Sequence, residues 1–129
     1  MNMTHIDEHG RARMVDVTEK PVTPRRAVAY GEVQTEPETM RKINQNEFAK
    51  GDVLTVAKLA GIGAAKQTGS LIPLCHPIPL THVDLDITTD TTKNVVEIRA
   101  TAVAAGKTGV EMEALTALSV AALTVYDMC

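Results

Sequence analysis

Three carboxylates, Glu111, Glu113 and Asp127, sit near the end of this sequence, where an apolar helix would ordinarily carry none. Val110 to Met128 is apolar at Met112, Leu115, Leu118, Val120, Leu123 and Val125. At 100° per residue, Glu113, Thr116, Thr124 and Asp127 fall on one narrow stripe of that cylinder, while Glu111 points to the opposite side. Burying a carboxylate is expensive unless it is paired. Each is therefore either a capping or salt-bridged structural group or one kept for chemistry, and residue type alone leaves both readings open. The spacing adds a constraint, because fourteen residues at a helical rise separate Glu113 from Asp127 by roughly 21 Å. They cannot share one reacting centre within a subunit. Joint service in catalysis requires an extended site or one completed by a neighbouring subunit.

Cys75 and His76 lie in Leu71-Ile72-Pro73-Leu74-Cys75-His76-Pro77-Ile78-Pro79-Leu80, whose prolines cannot donate to a sheet ladder. A rigid, apolar loop is expected there. Adjacent side chains in extended backbone point to opposite faces, so the two make a poor nucleophile and base pair and a cysteine protease is disfavoured. His5, His9 and His82 show no ligand spacing with His76, and neither Cys75 nor Cys129 has a second cysteine near it. No metal site and no disulfide framework are expected. Lys50 stands before Gly51 and Asp52, a natural helix N-cap. Such a lysine is ordinarily just solvated; its chemical reading depends on the positive end of the helix, which favours an amine able to exchange protons. Gly106-Lys107-Thr108 invites a phosphate-loop reading, but that motif needs a further glycine where Thr101 stands. A tight turn is expected instead, at which unpaired helix N–H groups still attract a phosphate.

The elements that must position these groups follow from the hydrophobic pattern. Residues 1–26 are polar and punctuated by Gly10, Pro21 and Pro24, which predicts an extended arm ending at Arg25-Arg26. Ala27 to Gln34 reads as a strand, and Thr39 to Phe48 as a short helix with Met40, Ile43 and Phe48 apolar. Behind Asp52, Val53, Val56, Ala57, Ala60 and Ala64 recur at helical spacing through about Lys66. Gly61 and Gly63 weaken that helix by about 1 kcal/mol each relative to Ala, which points to close backbone packing. Val83, Leu85 and Ile87, then Val96, Ile98 and Ala100, alternate with polar residues on either side of Asp90 to Lys93 and predict a half-buried hairpin. The last helix, apolar on nearly every face, reads as buried. Strands, helices and a hairpin in this order indicate an α+β fold with an antiparallel sheet, one domain over residues 27–129.

Composition narrows the function. With one Phe, two Tyr and no Trp, the core must be built from light side chains, which favours burial against partner subunits. A net charge of −3 leaves no basic footprint for nucleic acid. No uninterrupted apolar run reaches the ~18 residues of a membrane span, and the first thirty residues do not resemble a signal peptide. A reducing cytoplasm fits the cysteine usage.

Taken together, Met14-Val15-Asp16-Val17, Lys50-Gly51-Asp52, Leu71 through Pro77 (LIPLCHP) and Lys107 through Cys129 (KTGVEMEALTALSVAALTVYDMC) closely resemble the family of molybdenum cofactor biosynthesis protein C. The resemblance implies a ferredoxin-like α+β subunit, assembled as a homohexamer of three dimers with active sites at subunit interfaces. It implies conversion of 3′,8-cyclo-7,8-dihydroguanosine 5′-triphosphate to cyclic pyranopterin monophosphate with release of pyrophosphate. By motif, Lys50 resembles a catalytic acid or base and Asp127 a catalytic carboxylate. Leu74, Cys75, His76, Met112, Glu113 and Glu111 would line the substrate site. Arg25 would counter phosphate charge, with Arg26 its substitute if the register shifts by one, and Asp16 and Lys66 are weaker candidates. No cofactor is implied; Mg²⁺ enters only because triphosphates commonly carry it. In that family YDMC is followed by a second catalytic lysine and a tail with more lysines and glycines, so the 129 residues are expected to be part of a longer protein. The rival reading is a noncatalytic oligomeric module that binds a nucleotide for regulation and needs neither Lys50 nor Asp127 as acid or base.

Overall fold

Alternating apolar and polar residues build a three-stranded antiparallel sheet in the computed structural model, which describes residues 4–129. In chain order the elements are β1 (Thr23–Gln34), α1 (Pro37–Asn44), α2 (Val53–Lys66), α3 (Thr68–Leu71), β2 (Leu80–Asp90), β3 (Val95–Gly106) and α4 (Glu111–Met128). The strands lie in the order β1-β3-β2, so β3 is central and the other two are edges. Helices between β1 and β2, a β2–β3 hairpin and then α4 reproduce the β-α-β-β-α run that opens the ferredoxin-like pattern. The α+β expectation holds.

Several boundaries differ from the sequence expectation for local reasons. β1 begins at Thr23 rather than Ala27, because Pro24 sits on an edge strand, where a missing N–H costs no ladder bond. The arm is correspondingly shorter than residues 1–26, and its first three residues lie outside the described ones. α1 starts at Pro37, whose fixed φ suits a first turn, and stops at Asn44, ahead of Asn46 with φ 54°. α2 starts as expected, with the Asp52 carboxylate accepting from the Thr55 N–H at 3.3 Å. In the hairpin, Asp90 Oδ1 accepts from the Thr92 and Lys93 N–H groups, and Asn94 takes the left-handed φ of 54°.

One face of the sheet is covered by α2 and α4, and the surfaces that meet are built from small side chains. Ala57 of α2, Ala100 and Ala102 of β3, and Ala117 and Ala121 of α4 are all fully buried. Larger residues fill the flanks: Met40 and Ile43 from α1, Leu85 from β2, Val96 and Ile98 from β3. A floor of alanines leaves little room above it, so the middle of α4 turns Ala114, Ala117 and Ala121 inward, with Val125 and Met128 buried nearer its end, while several of its large residues face outward. Leu115, Leu123 and Tyr126 are 44%, 66% and 80% exposed. The expectation of a helix buried on all sides is thus corrected: within one chain α4 is half buried, and its outer apolar face is uncovered.

The two glycines of α2 have opposite surroundings. A Cβ on Gly61 would stand 2.6 Å from Leu85 Cδ2 and 3.0 Å from the Ala117 carbonyl oxygen, whereas one on Gly63 would meet nothing within 4 Å. Close packing is confined to Gly61. Gly61→Ala is therefore expected to lower the unfolding free energy by about 1–3 kcal/mol through overpacking. Gly63→Ala should raise it by up to about 1 kcal/mol through helix propensity. Denaturant midpoints of the two variants would check this; shifts in the same direction would contradict the α2–α4 packing described.

Candidate functional site

The sequence-predicted residues divide between the two ends of α4. At its N-terminal end a cavity of about 470 Å³ opens between four chain segments. The arm contributes His5, Val15, Val17 and Lys20, and β1 contributes Arg25. The proline-rich loop adds Leu74, Cys75 and His76, and the β3–α4 turn adds Lys107, Thr108 and Gly109 ahead of Glu111 and Met112. Leu74, Cys75, His76, Glu111, Met112 and Arg25 thus share one wall. Glu113 lies beneath it, 2% exposed, and reaches it through Cys75, whose Sγ is 3.8 Å from Glu113 Oε2.

Each wall residue is held by a local cause. Arg25 shares the helix-facing side of β1 with Ala27 and Ala29, and its Nε donates to the Gly106 carbonyl at 3.2 Å. Arg26 is exposed on the opposite side, so the strand period assigns this wall to Arg25 alone. Cys75 and His76 diverge as extended backbone requires: the thiol turns to α4, while His76 Nε2 meets the Val15 carbonyl of the arm. A carbonyl only accepts, so this contact places the ring proton on Nε2. Gly109 leaves space for the Glu111 carboxylate to fold back over the turn, in a position that any Cβ would occupy.

Electrostatically the wall is uneven. Among the described residues Glu113 Oε1 has no hydrogen-bond partner, and burial pushes its carboxyl above the ordinary value of 4.5. Burial, followed by the neighbouring Glu113 charge, also raises the Cys75 thiol. Asp16 is not on the cavity wall. It borders an adjoining depression with Val15, Thr18, His76 and Lys107, and it accepts from the Thr18 hydroxyl at 2.6 Å and N–H at 2.9 Å. Those bonds, with smaller help from His76 and Lys107, hold its carboxyl below the usual value. Lys66 is exposed at the end of α2 and lines neither space.

At the C-terminal end of α4, Lys50 and Asp127 come together. Lys50 Nζ donates to Asp127 Oδ1 at 3.1 Å and to the Asp127 carbonyl at 3.0 Å. Gly51, with φ 110°, makes the turn that leads from Lys50 into the Asp52 cap. The carbonyl belongs to the last turn of the helix, where such groups lack an intrahelical partner and a cation is favoured. The ion pair is exposed on both sides, and helical rise puts it roughly 21 Å from Glu113. Two separate clusters result, as the spacing of the two carboxylates required.

Sequence reasoning did not place His5, Lys20, Lys107 or Thr108 on the cavity wall. Lys107 and Thr108 carried a signal, as part of a turn able to attract an anion; His5 and Lys20 are brought in by the path of the arm, which no periodicity announces.

Residues 14–129 match the model of the MoaC family. The chain is similar to cyclic pyranopterin monophosphate synthases from several bacteria. It is 59% identical to that of Roseiflexus sp. (strain RS-1) over 128 residues, which is 99% of this chain and 81% of the relative. With that of Thermomicrobium roseum the identity is 59%, over 98% of this chain and 76% of the relative. With that of Heliobacterium modesticaldum it is 60%, over 98% and 80%.

The buried carboxyl of Glu113 generates a pH prediction. Its folded-state value is raised, so the folded chain holds this proton more tightly, and its stabilising effect is complete below about pH 4.5 and lost as pH rises through the folded value. Glu113→Gln removes the charge with little change of shape. The variant should melt at a higher temperature than wild type at pH 7 to 8, with the difference shrinking as pH falls and vanishing below about 4.5. Thermal scans across that range would check it; a difference independent of pH would mean that the carboxylate is already paired.

Proposed function

The chain belongs to the MoaC family, and from that premise we propose that it converts 3′,8-cyclo-7,8-dihydroguanosine 5′-triphosphate to cyclic pyranopterin monophosphate in molybdenum cofactor biosynthesis. The observation that carries this reading is its 59–60% identity, over nearly its whole length, to relatives named as that synthase. The reaction rearranges a ring system and releases pyrophosphate, so it needs groups that move protons and groups that hold phosphates.

Lys50 and Asp127 are suited to moving protons. An ammonium 3.1 Å from a carboxylate can pass them in either direction, and both side chains are open to solvent or a substrate. The cavity is suited to holding phosphates, with Arg25 offering a guanidinium to their oxygens and Cys75, His76, Glu111 and Met112 enclosing the rest of the molecule. Glu113 supports this wall from behind. Asp16 borders the site beside His76 and acts by fixing the arm at Thr18; Lys66 would join only if the assembly brings it to a neighbouring cavity.

Catalysis then needs the two clusters in one place. A homohexamer of three dimers meets that need by setting the Lys50–Asp127 end of one subunit at the cavity of another, and the outward apolar residues of α4 are available for such contacts. Mg²⁺ enters as the counter-ion of the triphosphate. We place the reaction in the cytoplasm; among the described residues no helix is long and apolar enough to cross a membrane.

Because the Lys50–Asp127 pair is exposed, it contributes little to stability. Lys50→Ala and Asp127→Asn should therefore leave the fold and assembly intact. Each should slow pyrophosphate release from the cyclic substrate by about 100-fold or more, the usual scale for losing a general acid or base. Release would be followed by a coupled phosphate assay, with sedimentation as the check on assembly. Full-length protein that binds the substrate but never releases pyrophosphate would sink the synthase reading.

A further inference from the structure

The cavity wall carries more positive charge than the residues assigned so far account for. Lys20, Arg25 and Lys107 line it, against Glu111 as its one carboxylate, in a chain whose net charge is −3. Among the described residues none of these cations forms an ion pair. The Glu111 carboxylate folds over Gly109 instead, and Asp16, the other acid near Lys107, is committed to the Thr18 hydroxyl and N–H. Unpaired cations gathered in a concave space attract an anion.

Lys107 is the best placed of them. Its Nζ donates to the Thr18 carbonyl at 3.1 Å, a bond that joins the β3–α4 turn to the arm. An ammonium has three donors, and that carbonyl takes one. The remaining two are held at the wall by a fixed backbone acceptor, so the side chain is positioned before any ligand arrives. Arg25 is positioned in the same way, since the Gly106 carbonyl takes only Nε and leaves the other guanidinium protons free. The two anchoring contacts flank one turn: Gly106 receives Arg25, and the next residue is Lys107.

We propose that Lys107 is a phosphate-binding residue of this site, forming with Arg25 a subsite for a polyphosphate chain and held ready by the Thr18 carbonyl. The inference deepens the synthase reading, on which it depends for the triphosphate. It does not depend on that reading for the anion. The arm thereby acquires a defined role, in which its backbone, rather than its side chains, aims the cation.

Inorganic tripolyphosphate is the probe. Titrated calorimetrically into the full chain at low salt, it should bind the wild type. Lys107→Ala should weaken binding by about tenfold or more, as expected for loss of a charge-assisted hydrogen bond. Lys107→Arg should keep most of the affinity, and Lys93→Ala, in the hairpin turn, should behave as wild type. In turnover of the cyclic triphosphate, Lys107→Ala should raise KM by a similar factor and leave kcat within a few-fold. A lysine that only fastens the arm would lower thermal stability without changing tripolyphosphate affinity. That result, or a wild type that binds no tripolyphosphate, overturns the proposal. Tripolyphosphate binding that depends on Lys107 in a protein that never releases pyrophosphate from the cyclic substrate would uphold the subsite and overturn the synthase reading alone.

Discussion

The contact of Gly61 with the Ala117 carbonyl sets the spacing between α2 and α4, and the positions of the ionisable groups follow from it. The absent side chain at position 61 leaves room both for that carbonyl and for the Leu85 side chain of β2, so the two helices lie close together over the sheet. The helices meet with Lys50, just ahead of α2, beside Asp127 in the last turn of α4. The same alignment puts the first turn of α4 under the proline-rich loop, where Glu113 meets Cys75. A larger residue at position 61 would part the helices, and both clusters would be displaced together.

The two carboxylates of α4 are held in opposite ways. Asp127 is solvated, paired with Lys50 and cheap to keep. Glu113 is almost wholly buried with one oxygen unpartnered among the described residues, although its place in the first turn of a helix favours a negative charge. A core built for stability alone would accept an amide or an apolar residue there at less cost. A buried carboxyl beneath a cavity wall, its proton held more tightly by burial, is better explained by work done at that wall than by the stability of the core. Cys75 stands between Glu113 and the cavity and contacts both, which makes the thiol part of the same unit.

Much of this organisation was legible in the sequence. The period of α2, its Asp52 cap, the hairpin and the loop enforced by Pro73, Pro77 and Pro79 all follow from local rules, and the structure has them. The fourteen-residue spacing also foretold that Glu113 and Asp127 lie too far apart to share one reacting centre within a subunit. Three things were not legible. The Lys50–Asp127 pair spans 77 positions in sequence and depends on helix–helix alignment, which no window reports. Gly61 and Gly63 look alike in the sequence, and only the neighbouring Leu85 and Ala117 distinguish them. That α4 turns Ala117 and Ala121 inward but Leu115 and Leu123 outward was hidden because an apolar residue on either side gives the same pattern.

That outward face bears on how the two clusters work together. Met112, Leu115, Leu123 and Tyr126 fall on one stripe of α4 and are all exposed, and the stripe runs from the cavity end of the helix to the Asp127 end. A patch of large apolar residues along a helix is costly to leave in water and signals an interface. A subunit packed along this stripe would reach from one cluster to the other, over the distance that a single chain cannot bridge with its own side chains. The light core points the same way: with many alanines inside and Leu115, Leu123 and Tyr126 outside, part of the chain's capacity for apolar burial remains unused until a second surface covers it. In the proposed assembly, one helix would link subunit contact to catalysis, its inner face setting the groups of each cluster and its outer face bringing a neighbour's cluster to its own.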